Sequence, residues 1–398
     1  MNSDIERLYA LAQKPTRNIL GLMSGTSVDG LDMALCRCTG SGAGTQVEVT
    51  HFETQPYDNQ FREYIAAIFS KKTVNLELLT LLNAHVAIHH ATIINQFLQK
   101  NNIDKETVDL VASHGQTIYH APRTLHRHET FSNATLQIGD GDHLAVHTGI
   151  ITISDFRQKH IAAGGEGAPL AVYGDYLVFG SATENRIMLN MGGIANFTWL
   201  PAGCATSEVF CTDTGPGNTI MDAYMMRYYN GTRYDEGGRL AASGTVHEPL
   251  LNALLADPFF SLPFPKTTGP EWFNLNYLEQ AMQQNGITAL GGEDIMATLN
   301  AFTAHSIAGA IKKNCAAGAP VKVFASGGGM HNTLLMNTLQ QLLPFCQFTD
   351  TRAVGVHPDA KEAVLFALLA NECVAGNPTG SGAPGFIPVK MGKISFPR

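Results

Sequence analysis

The sequence predicts a duplicated two-domain α/β protein with an active site in the cleft between its halves. With 398 residues, the chain is longer than one ordinary domain. Strand-like apolar runs that end in glycine-rich turns alternate with stretches of helical periodicity, which favours an α/β sheet. A strand hairpin, followed later by a strand that leads into a polar or glycine-rich turn, occurs once in each half. This repetition predicts the duplication.

The first half carries this unit near the N-terminus. Residues 19–22 and 31–36 are predicted to be strands joined by a turn over 23–30. Residues 109–113 form the next predicted strand, which leads into a polar turn. We predict that the first domain spans residues 18–154 and is completed by the tail at about 376–398, which could add a final strand.

The second half repeats the order with a longer insertion. Residues 186–191 and 196–200 are predicted to be a hairpin, and residues 322–326 form a strand that runs into three glycines. The second domain is predicted to span residues 155–375. Apolar residues at spacings of three and four predict helices over 76–99, 293–315 and 360–374.

Composition and charge exclude several classes of protein. Hydrophobic residues make up 44% of the chain, enough for real cores, and the net charge of -8 disfavours nucleic-acid binding. No run reaches the roughly 18 apolar residues of a membrane helix, and the N-terminus lacks the apolar core of a signal peptide. The seven cysteines are scattered and fit reduced thiols. We therefore predict a cytoplasmic protein without a membrane partner.

The turn at residues 25–32 is the first candidate ligand site. Its small residues let the backbone approach a ligand, and their amides and hydroxyls can bond phosphate oxygens. Asp29 or Asp32 could hold Mg²⁺ through water. Neither a Walker loop nor a dinucleotide fingerprint is present, and an ordinary hairpin turn is the alternative interpretation.

Two carboxylates are candidate catalytic groups. Asp213 follows a strand-like run and precedes a predicted helix at 219–229, where free amides and the helix dipole would stabilise an anion or a developing charge. It could act as a general base, or it could simply cap the turn. Glu362 opens another predicted helix, where such a residue is usually a partner of the dipole.

Other polar residues have two interpretations each. The three glycines that precede a helix capped by Asn332 indicate a flat surface for a nucleobase or ribose, or an ordinary loop. Arg157 could clamp a phosphate or carboxylate, or pair with Asp155. Among His85, His89 and His90, two imidazoles are spaced for one helix face. The glutamate of a zinc motif is absent, so a structural or surface role is favoured over zinc.

Ten motifs occur in an order that resembles the anhydro-N-acetylmuramic acid kinases, over about residues 19–375. The motifs are GLMSGTSVDGLD at 21–32, SHGQT at 113–117, LQIGD at 136–140, DFR at 155–157, GGEGAPL at 164–170, LNMGGIAN at 189–196, DTGPGN at 213–218, PKTTGPEWFN at 265–274, GGG at 327–329, and AVG with EA within 353–363.

The resemblance implies an actin/hexokinase-like (ribonuclease H-like) fold, with central mixed sheets flanked by helices. It also implies a Mg-ATP-dependent sugar kinase of cell-wall recycling. Water would open the 1,6-anhydro bridge while ATP phosphorylates O6, giving N-acetylmuramic acid 6-phosphate and ADP. ATP and Mg²⁺ are the implied cofactors, and a homodimer is the implied assembly.

The resemblance also implies residue roles. Asp213 would be the base that activates water, and Glu362 would assist at the sugar. The sugar would be bound by His114, Gln116 and Arg157. The implied ATP contacts are Gly25, Thr26, Ser27, Val28, Asp29, Gly30, Leu31, Asp32, Gly192, Gly193, Gly215, Gly327, Gly328 and Gly329. No Mg²⁺ ligand is assigned.

The sequence departs from the family pattern at His160, Glu166 and Pro270, which we expect near the sugar pocket. A related sugar such as levoglucosan or an N-acetylhexosamine is therefore an alternative substrate. A non-catalytic nucleotide-binding switch of the same fold is an alternative of another class. Retention of Asp213 and Glu362 favours catalysis, because a switch does not need a carboxylate that activates water.

Overall fold

The chain forms two compact units. The computed structural model describes residues 2–42, 45–167, 170–203, 208–315, 319–376, 387 and 389–397. The first unit contains residues 1–180 and 354–398, and the second contains residues 181–353. The domain boundaries predicted from the sequence stay a prediction. Ala168 and Pro169 of the glycine-rich motif lie outside the described residues.

Strands and helices alternate through much of the chain. The strands are β1 (Thr16–Ser24), β2 (Gly30–Thr39), β3 (Gln46–Pro56), β4 (Leu110–Ala121), β5 (Ala134–Ile138), β6 (Thr152–Ser154), β7 (Asn185–Met191), β8 (Ile194–Leu200), β9 (Phe210–Pro216), β10 (Val321–Ser326), β11 (Cys346–Thr349) and β12 (Lys393–Ser395). The helices are α1 (Ser3–Gln13), α2 (Asn59–Ile68), α3 (Leu76–Lys100), α4 (Arg123–His126), α5 (Gly141–Thr148), α6 (Phe156–Ala162), α7 (Ala171–Phe179), α8 (Thr219–Tyr228), α9 (Arg239–Ser243), α10 (Glu248–Leu255), α11 (Leu275–Gln284), α12 (Gly292–Asn314), α13 (Thr333–Leu342) and α14 (Lys361–Ala375).

The first unit is built on a mixed sheet in the order β12-β6-β4-β1-β2-β3, with β5 paired to β4. β1 and β2 form an antiparallel hairpin, whereas β4 runs parallel to β1 and β6 parallel to β4. Helices α2 and α3 contribute Phe61, Val86 and Ile94 to the core beside buried Leu20 and Leu22 of β1. This apolar cluster holds the hairpin that carries the first candidate site.

Helix α14 approaches the backbone of β1 closely. A Cβ atom on Gly21 would lie 2.0 Å from the carbonyl oxygen of Ala363. Glycine is therefore needed at this position of β1, because any side chain would displace the helix. This close approach fixes the start of α14, where Glu362 lies, against the sheet of the same unit.

The second unit repeats this plan in the order β11-β10-β7-β8-β9. β7 and β8 form an antiparallel hairpin, β10 runs parallel to β7, and β11 runs parallel to β10. The order and directions match those of β6-β4-β1-β2-β3 strand by strand. The predicted class, a duplicated ribonuclease H-like α/β fold with mixed sheets and flanking helices, is confirmed.

Most predicted elements are confirmed within a few residues. The helices predicted over 76–99, 293–315 and 360–374 are α3, α12 and α14, and the predicted tail strand is β12, which pairs with β6. The first turn is shorter than predicted, because β1 extends to Ser24 and β2 begins at Gly30. None of the described helices combines the length and apolar character required to span a membrane.

Candidate active site

Asp213 lies inside β9, not after a strand as the sequence predicted, because pairing with β8 continues to Pro216. Its backbone N–H donates to the carbonyl oxygen of Lys266 at 2.9 Å, and its Oδ2 accepts a hydrogen bond of 2.8 Å from the backbone N–H of Thr268. Burial raises the pKa of the Asp213 carboxyl to about 6, although the Thr268 bond acts in the opposite direction. This carboxylate is ionised at neutral pH and still basic enough to take a proton.

The start of α8 is closed by the Gly192–Gly193 turn. The backbone N–H groups of Gly217 and Thr219 donate to Gly193 O at 2.8 and 3.0 Å, and that of Asn218 donates to Gly192 O at 2.8 Å. The expectation of free amides is therefore wrong for these three groups. Nearby Gly215 has φ of +139° and packs against Phe260. The carbonyl groups of the Gly192–Gly193 turn therefore hold the end of β9 and the first turn of α8 in place.

The three consecutive glycines have different surroundings. A Cβ atom on Gly327 would lie 2.7 Å from Asn190 Oδ1, and one on Gly329 would lie 2.7 Å from the Cβ of Met191. Those two glycines are thus required by packing against β7. Gly328 instead lines a cavity of about 530 Å³. Gly328 is thus placed differently from its two neighbours, and the contact of the three glycines with ATP stays a prediction.

The cavity beside Gly328 lies wholly within the second unit. Its other lining residues are Asn218, Met221, Asp222, Tyr234, Asp235, Glu236, Gly237, Arg239, His331 and Asn332. Asn332 also caps α13, as predicted, by accepting a hydrogen bond of 3.0 Å from the backbone N–H of Leu335. Burial raises the pKa of Asp222 to about 6.

The β1–β2 turn of the first unit is tightly held. Val28 has φ of +55°, a left-handed conformation that strains a β-branched residue, and its N–H donates to Gly25 O at 3.3 Å. Leu31 is fully buried in the core, so its side chain cannot contact a ligand. The carboxyl of Asp32 accepts a hydrogen bond of 2.5 Å from Thr54 Oγ1, and burial raises its pKa.

Gln116 is completely buried behind this turn. Its Oε1 accepts a hydrogen bond of 2.5 Å from Ser24 Oγ, and its Nε2 donates to Gly25 O at 3.2 Å. Tyr57 donates to Ser24 Oγ at 2.8 Å and meets His90 Nε2 at 2.8 Å. The side-chain hydrogen bonds of Gln116 are thus made within the protein, and its predicted contact with the sugar stays a prediction.

Arg157 connects His114 to the glycine-rich loop. Its Nε donates to His114 Nε2 at 2.9 Å, and its Nη1 donates to Gly167 O at 2.6 Å. Because His114 Nε2 accepts, its Nδ1 carries the proton and donates to Gly115 O at 2.9 Å. Burial lowers the pKa of His114 to about 3, so the ring is neutral. Asp155 pairs with Lys393, not with Arg157.

Glu362 lies near Arg157 in the first unit. Desolvation by surrounding protein raises the pKa of its carboxyl even though the residue is exposed, and the Lys361 and Arg157 cations oppose that rise. Lys361 itself forms an ion pair of 2.8 Å with buried Asp175. The structure therefore brings His114, Arg157 and Glu362 together. Asp213 belongs to the other unit.

The three departures from the family pattern have different environments. His160 is buried, and its Nδ1 accepts a hydrogen bond of 2.9 Å from Gly167 N. It packs so closely on Gly165 that a Cβ there would lie 2.2 Å from the ring. Glu166 and Pro270 are exposed. His160 thus holds the same loop that Arg157 contacts.

Sequence reasoning assigned no role to Lys266, Thr268, Tyr57 or Ser24, and it gave His90 only a structural or surface role. Lys266 and Thr268 belong to the PKTTGPEWFN motif that the sequence analysis identified. Their contact with Asp213 was not predicted. Two of the hydrogen-bonded pairs lie far apart in sequence, Lys266 and Thr212 by 54 residues and Gln116 and Ser24 by 92 residues. No local pattern indicates such pairs.

Comparison with known proteins shows the family of this chain. Residues 17–387 match the family model for anhydro-N-acetylmuramic acid kinase. Proteins of that name are 55% identical in Pseudoalteromonas atlantica and 54% identical in Pseudoalteromonas translucida, in both cases over 100% of each chain. The protein of that name from Caldanaerobacter subterraneus is 38% identical over 98% of this chain and 100% of its own.

Similarity to solved structures is more distant. The activator of a 2-hydroxyisocaproyl-CoA dehydratase from Clostridium difficile gives a TM-score of 0.40 at 11% identity, over 90% of this chain and 95% of that chain. A hexokinase from Schistosoma mansoni gives a TM-score of 0.36 at 11% identity, over 92% of this chain and 91% of that chain. Neither similarity carries a conclusion about this chain.

The duplicated α/β fold and the family match together define a sugar kinase. More particularly, the chain belongs to the anhydro-N-acetylmuramic acid kinase family.

Proposed function

We propose that this chain is an ATP-dependent kinase that hydrolytically opens 1,6-anhydro-N-acetylmuramic acid and phosphorylates O6. The products are N-acetylmuramic acid 6-phosphate and ADP, and the role is recycling of cell-wall amino sugars in the cytoplasm. Family membership supports the substrate. Within the structure, the observation that supports the chemistry is Asp213, whose burial brings its pKa to about 6.

Asp213 is the proposed base. Its carboxylate takes a proton from water while the water oxygen bonds to the anomeric carbon and the bond from that carbon to O6 breaks. O6 then bonds to the γ-phosphorus of ATP, and ADP leaves. A base with a pKa slightly below neutral is mostly ionised and still accepts a proton readily. Glu362 is proposed to assist at the sugar.

The ATP contacts predicted from the sequence are retained as a proposal. The cavity beside Gly328 is large and polar enough for a nucleoside. The small residues Gly25, Thr26 and Ser27 are proposed to contact phosphate oxygens. Gly30 and Leu31 belong to β2, and Leu31 is buried, so backbone contacts alone are proposed there.

Mg²⁺ fits the residues present. Among the described residues, no cluster of three or more His, Cys, Asp or Glu side chains forms a dedicated metal site. Mg²⁺ usually keeps several waters and binds one or two carboxylates plus substrate phosphates, so no such cluster is required. Asp29 or Asp32 would hold the ion through water. When bound, it neutralises charge on the transferred phosphoryl group.

His114 and Arg157 are proposed to line the sugar site. Their mutual hydrogen bond keeps His114 in one tautomer and presents the remaining guanidinium nitrogen, Nη2, to a ligand. A homodimer is proposed on the family resemblance alone.

ADP release coupled to product mass spectrometry tests this function. The substrates are 1,6-anhydro-N-acetylmuramic acid, levoglucosan, N-acetylmuramic acid and N-acetylglucosamine, each with Mg-ATP. We expect only the first to be consumed, with a product that gains both phosphate and water. Consumption of another sugar would transfer the assignment to that sugar. ATP binding without turnover of any sugar would favour the nucleotide-switch alternative.

Asp213→Asn tests the base within the same assay. We expect loss of turnover with ATP binding nearly unchanged, because the amide keeps an oxygen for Thr268 but cannot take a proton. Asp294→Asn is the matched control, since Asp294 also accepts one backbone N–H, that of Thr245, through Oδ1. Turnover at the wild-type rate in Asp213→Asn would contradict the assignment.

A further inference from the structure

Lys266 is a buried cation in an aromatic cage. The residue is 7% exposed, and its Nζ lies 4.1 Å from the ring centroid of Phe259 and 5.7 Å from those of Phe260 and Phe264. Nζ donates to the carbonyl oxygens of Phe259 and Phe260 at 2.8 and 3.3 Å. Within the part of the chain that the structure describes, no carboxylate lies at ion-pair distance from it.

Burial of such an ammonium group costs free energy. Desolvation disfavours a charged group unless carbonyl dipoles, ring faces or a counter-ion replace its water. Here the replacement is incomplete, because burial and the neighbouring Lys313 cation lower the pKa of Lys266 to about 8. An apolar side chain of similar length would fill the cage without this penalty. The charge therefore calls for a role besides packing.

The main chain of Lys266 pairs with the strand that carries Asp213. Its N–H donates to Thr212 Oγ1 at 3.0 Å, and its carbonyl oxygen accepts from Asp213 N at 2.9 Å. Two residues later, Thr268 N donates to Asp213 Oδ2 at 2.8 Å. The segment 266–268 thus runs along β9 and contacts Asp213 at both its backbone and its carboxyl.

We propose that Lys266 is a positioning residue for the base Asp213. Its ammonium fastens segment 266–268 to the Phe259 and Phe260 carbonyls, and the segment in turn holds the Thr268 N–H on Oδ2. The other oxygen, Oδ1, makes no hydrogen bond to the described residues and is left for the water. This inference rests on the proposed function of Asp213.

A purely structural role predicts a different outcome. Replacing an unpaired buried cation by an apolar group of similar shape is then neutral or stabilising, and the kinetics do not change. A positioning role predicts that the base loses its orientation and its hydrogen-bond donor. Without that donor the pKa of Asp213 rises, because the bond to the ionised form holds it down.

Lys266→Met in the full-length protein tests the proposal, with Lys313→Met as the matched control. Lys313 also lies over Phe264, at 5.3 Å, and donates to two backbone carbonyls, those of Ser261 and Leu262, which directly follow Phe259 and Phe260 in the chain. It has no main-chain link to Asp213. The readouts are kcat, KM for ATP and the acid limb of the kcat–pH profile.

In Lys266→Met we expect kcat to fall about tenfold or more, with KM for ATP changed less than about twofold, because orientation of a base acts on the chemical step. The acid limb should move to higher pH. Lys313→Met should keep the kcat and acid limb of the wild type. A folded Lys266→Met with wild-type kcat and acid limb overturns the proposal, as does an equal loss in both variants.

Two further measurements keep the test decisive. If Lys266→Met does not fold, Lys266→Gln, which keeps a donor for Phe259 O, replaces it, and kcat and the acid limb of the kcat–pH profile decide in the same way. Hydrogen exchange of the peptide over 266–268 needs no turnover. We expect faster exchange than in the wild type in Lys266→Met but not in Lys313→Met. Equal exchange rates in the two variants would contradict the role of Lys266 in holding this segment. Absence of sugar-dependent ADP release in the wild type would instead contradict the proposed function.

Discussion

Ser24 Oγ donates a hydrogen bond of 2.5 Å to Gln116 Oε1, and this bond sets the direction of a buried chain of donors. Because Ser24 donates to Gln116, it accepts from Tyr57, and Tyr57 in turn accepts from His90 Nε2. Gln116 Nε2 then donates to Gly25 O. The chain connects α3 to the turn that is proposed to hold the ATP phosphates.

Tyr57→Phe interrupts this chain. The buried Nε2–H of His90 loses its acceptor, so we expect the free energy of unfolding in urea to fall by about 1–3 kcal/mol. Looser support of Gly25 should also raise KM for ATP, by about fivefold for each kcal/mol of binding lost. Tyr277→Phe is the control, because Tyr277 donates one hydrogen bond of 2.5 Å to Leu254 O in the second unit. An equal change of KM in both variants would contradict the role of the chain.

His90 and His114 should make stability depend on acid pH. Burial lowers the pKa of each from 6.5 to about 3, so between these values the unfolded chain binds more protons than the folded one. Stability therefore falls as pH decreases below 6.5. At pH 5 each ring should contribute a loss of about 2 kcal/mol.

Urea unfolding at pH 5 and pH 7 checks this dependence. His90→Gln should make the difference between the two pH values smaller, because the amide does not titrate there. His85→Gln, on the exposed face of the same helix, should leave the difference unchanged. The same pH dependence in all three proteins would rule out the buried His90 ring as a source of it.

Asp213→Asn should make the protein more stable at neutral pH. Burial raises the pKa of the Asp213 carboxyl from 3.8 to about 6, so the ionised form is disfavoured in the folded state and stability falls as pH rises through this range. The full shift corresponds to about 3 kcal/mol, and partial exposure reduces the expected gain to about 1–2 kcal/mol.

The gain from Asp213→Asn should disappear when the pH falls below 3.8, where the carboxyl is protonated in both states. Thermal unfolding at pH 7 and at low pH measures it. A variant less stable than the wild type at pH 7 would show that the fold stabilises the carboxylate, and would contradict the raised pKa that supports its role as the base.

Gly327→Ala should affect the stability of the fold, whereas Gly328→Ala should affect the binding of ATP. Gly327 has φ of +81° and no room for a Cβ, so we expect alanine there to destabilise the fold by about 1–3 kcal/mol. A Cβ on Gly328 would meet Asn218 Nδ2 at 3.4 Å, an ordinary contact, but would project at the cavity. Gly328→Ala should therefore raise KM for ATP with little change in melting temperature. An unaltered KM would remove Gly328 from the nucleotide site.

Local sequence signals predicted the α/β class and most element positions. Helix α3 followed from its apolar spacing, and the two hairpins followed from strand-like runs around Gly25 and Gly192. These features depend on residues close together in the chain. The motifs likewise located the turns and Asp213, because their residue types suit close approach of a ligand and proton transfer.

The pairings between distant residues were not predictable. The sequence did not indicate that the Gln116 side chain would hydrogen-bond Gly25. Nor did it indicate that Asp213 would lie inside β9 and accept a hydrogen bond from the Thr268 N–H. Burial and register decide both features, and they depend on how the sheets and the intervening loops pack.

The sequence by itself therefore determined the repeated unit of a hairpin and a strand, the family and the identity of the candidate carboxylates. Only the tertiary structure decided the pKa of Asp213, the protonated nitrogen of His114 and the distinction among the three glycines. The physical reason is that propensity and periodicity are local, whereas desolvation and hydrogen-bond direction depend on neighbours that folding brings from distant parts of the chain.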